Sequence, residues 1–588
     1  MAGMGAAARG SLRYPGVSAW LARTLTIERV IVALLLLFLI WEIFIPLAAL
    51  VFSSVKDVRP DHPDFFNLTL TLGNWDEVLS SAQLWTITRH TVVFAFGASF
   101  LALAMGGVLA FVTTRTNARL KWLIASLVLY QLAMPDVLYP VIWTFLAGPE
   151  LGVLSDWWTS ITGLSAPVDV YSMGGMIFVE SFLLLPLVYV FMVPAMSAMD
   201  RALEESAETC GASRAHVIRD IVLKLAAPAL AATLVIVLMR AWEAFEVPWF
   251  LGVREKTFTF STELFFRTTT PPSDTGLISS FALPMLVVSL VMVWWYNRFN
   301  LKARNYAVLS GKSYKPTLMT LRPVTRWVVS GACLAVLVVG VVLPLLMLIW
   351  LSLHPFFRPP SLDALGAVQL DSYERALETP VILTGFKNSL IIGLSSSAVV
   401  LLVVSLSAWF VVHGRTRGRR MLDVLTFAPM AFPNIVVGIC LLWLYLLLPI
   451  DLSGTYLVLI LAYFILFVAI AARNVTVRAF QIHPELHEAA VSSGAAFLTS
   501  YRTVIVPLMG PALLASGLYI TAWAFKELET TVLLASPQTK TTTVVVYDLT
   551  GLATTSEVAA VGVVAVAGLM VVIGAFQFVA RKMRIVGF

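Results

Sequence analysis

Charge is what this sequence has least of: only 13% of its 588 residues are Asp, Glu, Lys or Arg, while 59% are hydrophobic and the mean hydropathy is +0.87. A soluble globule of that composition would carry more apolar side chain than it could bury, so the expected solvent is the bilayer. Cysteine is nearly missing as well. Cys210, Cys333 and Cys440 are far apart and two of them lie inside apolar runs, which excludes a disulfide or zinc framework and leaves small packing residues. The seven histidines are scattered with no compact ligand set, so no metal site is expected on this chain. No nucleophile with a positioned base and no carboxylate dyad stands out, so a transport subunit is expected rather than an enzyme. The net charge of +6 comes from small basic clusters beside apolar runs, which fits a lipid surface and not nucleic acid.

What is abundant is apolar sequence in membrane-length blocks. A helix needs about 20 residues to cross about 30 Å of hydrocarbon. About twelve segments qualify: 30–53, 90–113, 122–146, 173–196, 227–251 and 277–297, then 327–351, 388–412, 421–448, 455–472, 510–535 and 556–579. Arg9, Arg13, Arg23 and Arg29 precede the first, and no small-residue cleavage site ends it, so it is read as a retained helix. Orientation follows from lysine and arginine, which short loops keep in the cytoplasm. Arg115, Arg119 and Lys121, then Arg201, Arg214, Arg219 and Lys224, then Arg415, Arg417, Arg419 and Arg420, and finally Arg581, Lys582 and Arg584 all fall on one side. The loop from Ala147 to Ser172 has no Lys or Arg, although Arg254, Lys256 and Arg267 run against the rule. The expected arrangement is a multi-pass protein of a bacterial cytoplasmic (inner) membrane with both termini in the cytoplasm.

The spans fall into two copies. Gly211 precedes Pro228 by 17 residues and Gly494 precedes Pro511 by 17, which relates the copies by 494 − 211 = 283. Upstream, Pro135 matches Pro433 and Ala110-Phe111 matches Ala408-Trp409, at 433 − 135 = 298. The expected fold is an all-α polytopic membrane protein of two homologous six-helix halves with pseudo-twofold symmetry, residues 1–297 and 327–588, joined by a polar cytoplasmic linker at 298–326. Tandem repeats of this kind build a pathway along a pseudo-symmetry axis, which makes transport the leading function class.

Between the fourth and fifth spans of each half lies a more informative loop: DRALEESAETCGASRAHVIRDIVLKLAAPAL, and HPELHEAAVSSGAAFLTSYRTVIVPLMGPAL. Each reads as a short amphipathic helix, a glycine turn and a second short helix, with the glycine supplying permissive backbone and close approach. These residues resemble the cytoplasmic coupling motif of ABC importer permeases, Glu-Ala-Ala, three residues, Gly, and then Ile-x-Leu-Pro. Glu488, Ala489, Ala490, Gly494, Val504, Val506 and Pro507 match it, as do Glu205, Ser206, Ala207, Gly211, Ile221 and Leu223, while Lys224 stands where the motif has proline. The two-times-six layout also resembles the fused ferric-iron permeases. The resemblance implies a type I importer fold whose loops dock on two copies of an ABC ATPase. It further implies an extracytoplasmic solute-binding protein, and ATP and magnesium held by the ATPase with no cofactor on this chain. Ferric iron is the implied solute, with thiamine, polyamines and phosphonates as alternatives.

Charges inside the fifth and eleventh spans are the candidate pathway or gate: Glu243 and Glu246 with Arg240 beside them, and Lys526, Glu527 and Glu529. Ionised groups at such depth need partners or a cavity. At the 283 offset Glu243 corresponds to Lys526 and Glu246 to Glu529, so symmetry is expected to bring acid and base face to face, each pair on one helical face. FKELETTVLLAS resembles the Lys-Glu-Leu-Pro stretch of ferric-iron permeases, with Glu529 in place of the proline. Asp136 and Asn434, each beside a proline, read as kink caps. Two decoys remain. Gly311-Lys312-Ser313 imitates the end of a phosphate-binding loop, but Tyr306 replaces its first glycine. The basic run 414–420 resembles the loop of major-facilitator transporters without its acidic partner, which keeps a secondary transporter as the rival class.

Overall fold

Inside hydrocarbon a backbone amide has only other backbone groups to bond, and the chain answers with helices throughout. The computed structural model describes residues 27–60, 62–67, 69–164, 169–199, 202–303, 318–414, 416–449, 452, 454–552 and 555–582. Arg9, Arg13, Arg23, Arg201, Arg415 and Arg584 lie outside them, as do Tyr306 and Gly311 to Ser313 in the linker. The first half contains α1 (Ile27–Ser53), α2 (Ala82–Arg115), α3 (Lys121–Gln131), α4 (Leu138–Ala147), α5 (Met173–Ser197), α6 (Ala202–Thr209), α7 (Arg214–Glu243) and α8 (Thr275–Ala303). The second repeats them in order as α9 (Pro323–Ser352), α10 (Pro380–His413), α11 (Arg419–Ala431), α12 (Asn434–Leu447), α13 (Tyr456–Phe480), α14 (Glu485–Ser492), α15 (Phe497–Trp523) and α16 (Thr555–Lys582).

Ten of these helices are long and apolar enough to span a membrane as continuous rods. The two remaining expected spans are broken. The ninth bends by 108° between α11 and α12, where Phe432 turns extended ahead of Pro433; a residue before proline is driven out of the α region, and proline itself has no donor to continue the ladder. The third splits at Pro135 into α3 and α4, each too short to cross alone. The fifth and eleventh also end early, at Glu243 and Trp523, rather than running to 251 and 535.

The halves mirror each other in packing: α2 lies along α5 as α10 lies along α13, and α7 and α15 complete each triplet. Their first helices are exchanged. Val32, Leu35, Leu39 and Ile43 of α1 are buried in the core of the second half against α11, α12 and α13. In return α9 lies on α3, α4 and α5 of the first half, where the Tyr139 hydroxyl donates to the Gly340 carbonyl at 2.6 Å. A Cβ at Gly340 would sit 2.0 Å from the Phe182 ring, so only glycine permits this approach. Leu34, Leu37, Phe100, Leu402 and Val571 are left uncovered by protein, as lipid-facing positions must be.

Two of the three cations that defy the orientation rule, Arg254 and Arg267, are locally neutralised. Arg254 pairs with Glu150 at 2.9 Å, and Arg267 bonds both Glu263 and Gln83. At the linker exit, Met319 is bridged to Thr116, and Leu321 N–H donates to Asn117 at 2.8 Å.

Candidate functional site

The two loops share one construction. After α6, Gly211 adopts φ +86°, with Gly211 N–H donating to Glu208 O and Ala212 N–H to Ala207 O. After α14, Gly494 adopts φ +92°, with Gly494 N–H donating to Val491 O and Ala495 N–H to Ala490 O. Each is a left-handed helix stop of the Schellman kind, so the motif glycine is required by its dihedral. Close approach is not its role, contrary to expectation: a Cβ at either glycine would meet nothing within 4 Å. Each chain then re-enters its membrane helix through a five-residue π-turn, Ile218–Val222 and Tyr501–Ile505. Ile221 and Val504 sit inside these turns, while Leu223 follows one and Val506 and Pro507 the other. Lys224 therefore occupies the same helical position as Pro507, with its ammonium turned outward to Asp220 at 3.4 Å.

Both loops protrude. Glu205, Ser206 and Gly211 are exposed, as are Glu488, Ala489 and Gly494, while Ala207 and Ala490 are half-buried. Apolar Leu203, Leu486, Val491 and Leu498 stand uncovered on the same surface. The anchors beneath are unlike. In the first half the buried Arg115 guanidinium, at the end of α2, pairs with Glu204 of α6 and donates to Met199 O at 2.8 Å. At the corresponding positions stand His413 and His487. The His413 ring lies 3.1 Å from Ala479 O, His487 lies 2.8 Å from the Ser500 hydroxyl, and both rings pack on Trp409.

Where the fifth and eleventh spans stop short, the intramembrane charges collect. Glu246, Lys526, Glu527 and Glu529 lie in the chain beyond the helix ends, so the expected shared helical face does not exist. Glu243 does not face Lys526. It is ion-paired with Arg240 on its own helix and is within hydrogen-bonding reach of the Asn434 amide, at the break of the ninth span. Lys526 instead pairs with Asp136, at the break of the third span, at 2.9 Å and donates to Leu132 O at 3.2 Å. These two cross-half contacts are related by the repeat, because Glu243 corresponds to Lys526 and Asn434 to Asp136. Asp136 is therefore the partner of an intramembrane base as well as a neighbour of the kink. Glu527 accepts from the Thr530 and Thr531 amides and the Thr531 hydroxyl, which fixes the turn after α15.

Glu180 of α5, buried to 5% exposure and in electrostatic contact with Glu246, Asp136 and Arg240, completes the cluster. Sequence reasoning missed it, although a lone carboxylate inside the 173–196 span was the available signal. On the side of the cluster from which α3 and α15 ascend lies a cavity of about 670 Å³, lined by Tyr130, Leu132, Val341, Tyr519, Trp523 and Lys526 among others. It reaches the Lys526–Asp136 pair from the loop side.

Residues 102–305 match the family model described as the binding-protein-dependent transport system inner membrane component. Fold, paired loops and this match give the chain's likeness: it is similar to ABC-importer permeases, multi-span transport subunits of the cytoplasmic membrane. Among curated relatives, a probable ABC transporter permease of Sinorhizobium fredii is 26% identical over 58% of this chain, which spans 61% of that relative's length. An Fe(3+)-transport system permease of Haemophilus influenzae is 23% identical over 67% of this chain and 74% of its own. A ferric transport system permease of Actinobacillus pleuropneumoniae is 21% identical over 94% of this chain and 78% of its own.

Proposed function

We propose that this chain forms the translocation pathway of an ATP-driven importer, with ferric iron as its solute. The observation that carries the reading is the pair of protruding loops with the same left-handed glycine stop and the same π-turn re-entry, one per half. A pair of sockets calls for two copies of a partner ATPase, which holds the ATP and magnesium, while this chain holds no cofactor. Both loops, and with them both termini, lie in the cytoplasm, and an extracytoplasmic binding protein delivers solute to the opposite mouth. A secondary transporter would have no use for paired loops of this form.

Alternating access follows from the closed cluster and the cavity beneath it: the Lys526–Asp136 and Glu243–Asn434 contacts seal the interface between halves on the outer side, and ATPase motion through the loops separates them. A change of state requires different contacts in the two states, and these are the contacts that differ. Iron is supported by the names of the ferric relatives and by the cluster's excess of carboxylates over bases, which suits a cation better than a phosphonate. Thiamine and polyamines are cations as well and are separated from iron only by experiment.

The test is ATP hydrolysis by the reconstituted permease with its ATPase and a binding protein loaded with ferric iron, thiamine, polyamine or phosphonate. Glu488→Arg with Gly494→Pro is expected to abolish solute-stimulated hydrolysis while the chain still inserts. Unimpaired stimulation would sink the coupling assignment, and stimulation by another solute would discard iron.

A further inference from the structure

The buried cluster is unbalanced. Asp136, Glu180, Glu243, Glu246, Glu527 and Glu529 supply carboxyl groups from both halves, and Arg240 and Lys526 are the bases among them. Glu529 is 6% exposed, and its Oε2 is buried with no hydrogen-bond partner. Its electrostatic neighbours are Glu246, Glu243, Arg240 and Glu527, all members of the cluster. A desolvated carboxylate oxygen left without a donor is costly unless a positive charge comes to it at some stage of the cycle.

Among the described residues no three acidic, His or Cys side chains converge as a bound metal would require. Two of the carboxylates are instead held on the two bases, Glu243 on Arg240 and Asp136 on Lys526, while Glu527 is held by Thr530 and Thr531. Lys526 is the one that crosses between halves: its ammonium is 2.9 Å from Asp136, and among the described residues no other ion pair joins the first half to the second. It also forms part of the wall of the 670 Å³ cavity and stands 5.0 Å from the Trp523 ring centre.

We propose that the cluster, with the unpartnered Glu529, is a transit site for a multivalent cation and that Lys526 is a tethered stand-in for it, holding Asp136 when the pathway is closed and yielding it to the solute when it opens. This rests on the pathway running between the halves as read above, and it assigns specificity to a residue that selects by being displaced. Competition has a distinctive signature. Removing an internal competitor strengthens binding of an external cation, whereas a merely structural lysine would, on removal, weaken everything around it. The same site disfavours anions, because six carboxyl groups surround it.

The experiment is terbium(III) titration of the full-length permease in detergent, read as luminescence sensitised through indole excitation, with Trp523 beside the site. Wild type is expected to give a saturable signal. Lys526→Met is expected to raise apparent affinity about tenfold and Glu529→Gln to lower it about tenfold, the scale of one partly screened charge at contact. Glu488→Arg leaves the titration unchanged. Displacement by gallium(III) identifies a hard metal as the natural cation, and displacement by spermidine alone identifies a polyamine. No change or a loss of affinity in Lys526→Met, or a signal that neither competitor displaces, overturns the proposal. Because the titration needs no ATPase, its failure is distinct from a failure of coupled ATP hydrolysis.

Discussion

Two loops with the same backbone stand on different foundations. Arg115 and Glu204 hold the first through a buried ion pair, whereas His413, Trp409 and His487 hold the second through ring packing and two hydrogen bonds. Under the proposed coupling to two ATPase copies, the external form is what a docking partner would meet twice, and it is the part that repeats. The anchor faces only its own half, where any chemistry that satisfies the carbonyl at the end of α5 or α13 will serve. The same division holds at the cluster, where Lys526 and Glu243 occupy equivalent places with opposite charge.

The largest effect should come from breaking the charged anchor. Arg115→Ala removes a buried guanidinium from beside Glu204 and is expected to cost about 3–5 kcal/mol, against about 1 kcal/mol for His413→Ala, which loses a neutral hydrogen bond. Thermal unfolding in detergent measures both. Thiol labelling of Cys210, exposed in the first loop while Cys333 and Cys440 are buried, should accelerate in the first variant only. Equal destabilisation would erase the contrast between anchors. Next come the glycines. Gly211→Ala and Gly494→Ala each force a side chain into left-handed backbone with no clash to add, so both should cost about 1–2 kcal/mol and by the same amount. A large inequality would mean that the loops are not conformational copies. The smallest effect concerns the motif position where the halves differ. Lys224→Pro places in the first half what the second already accepts after the same π-turn, and stability should change by no more than about 0.5 kcal/mol. A loss of several times that would show that the two re-entries differ.

Much of this was legible beforehand. Twelve apolar blocks, the twofold repeat and both loops could be read because hydrophobic length, glycine position and spacing are local properties of a chain. The breaks within spans were harder. Residues 227–251 and 510–535 are continuous in hydropathy, and nothing local announces that the helices stop at Glu243 and Trp523. Placing the charges on a helical face was therefore wrong, and so was the pairing drawn from it. Glu180 went unnoticed because its neighbours in sequence are mostly apolar, while its partners come from the break between α3 and α4, from α7 and from the chain beyond α7.

By itself the sequence determined that the chain lives in a membrane, that it is a double copy, and where its two protruding loops lie, since each of these follows from composition or from short-range pattern. Only the tertiary structure decided that α1 and α9 change halves, that Lys526 finds Asp136 rather than Glu243, and that one anchor is ionic and the other aromatic. Those outcomes depend on which residues distant in sequence share a buried volume, and in a low-dielectric interior the partner that happens to be near, rather than the one symmetry suggests, sets the interaction.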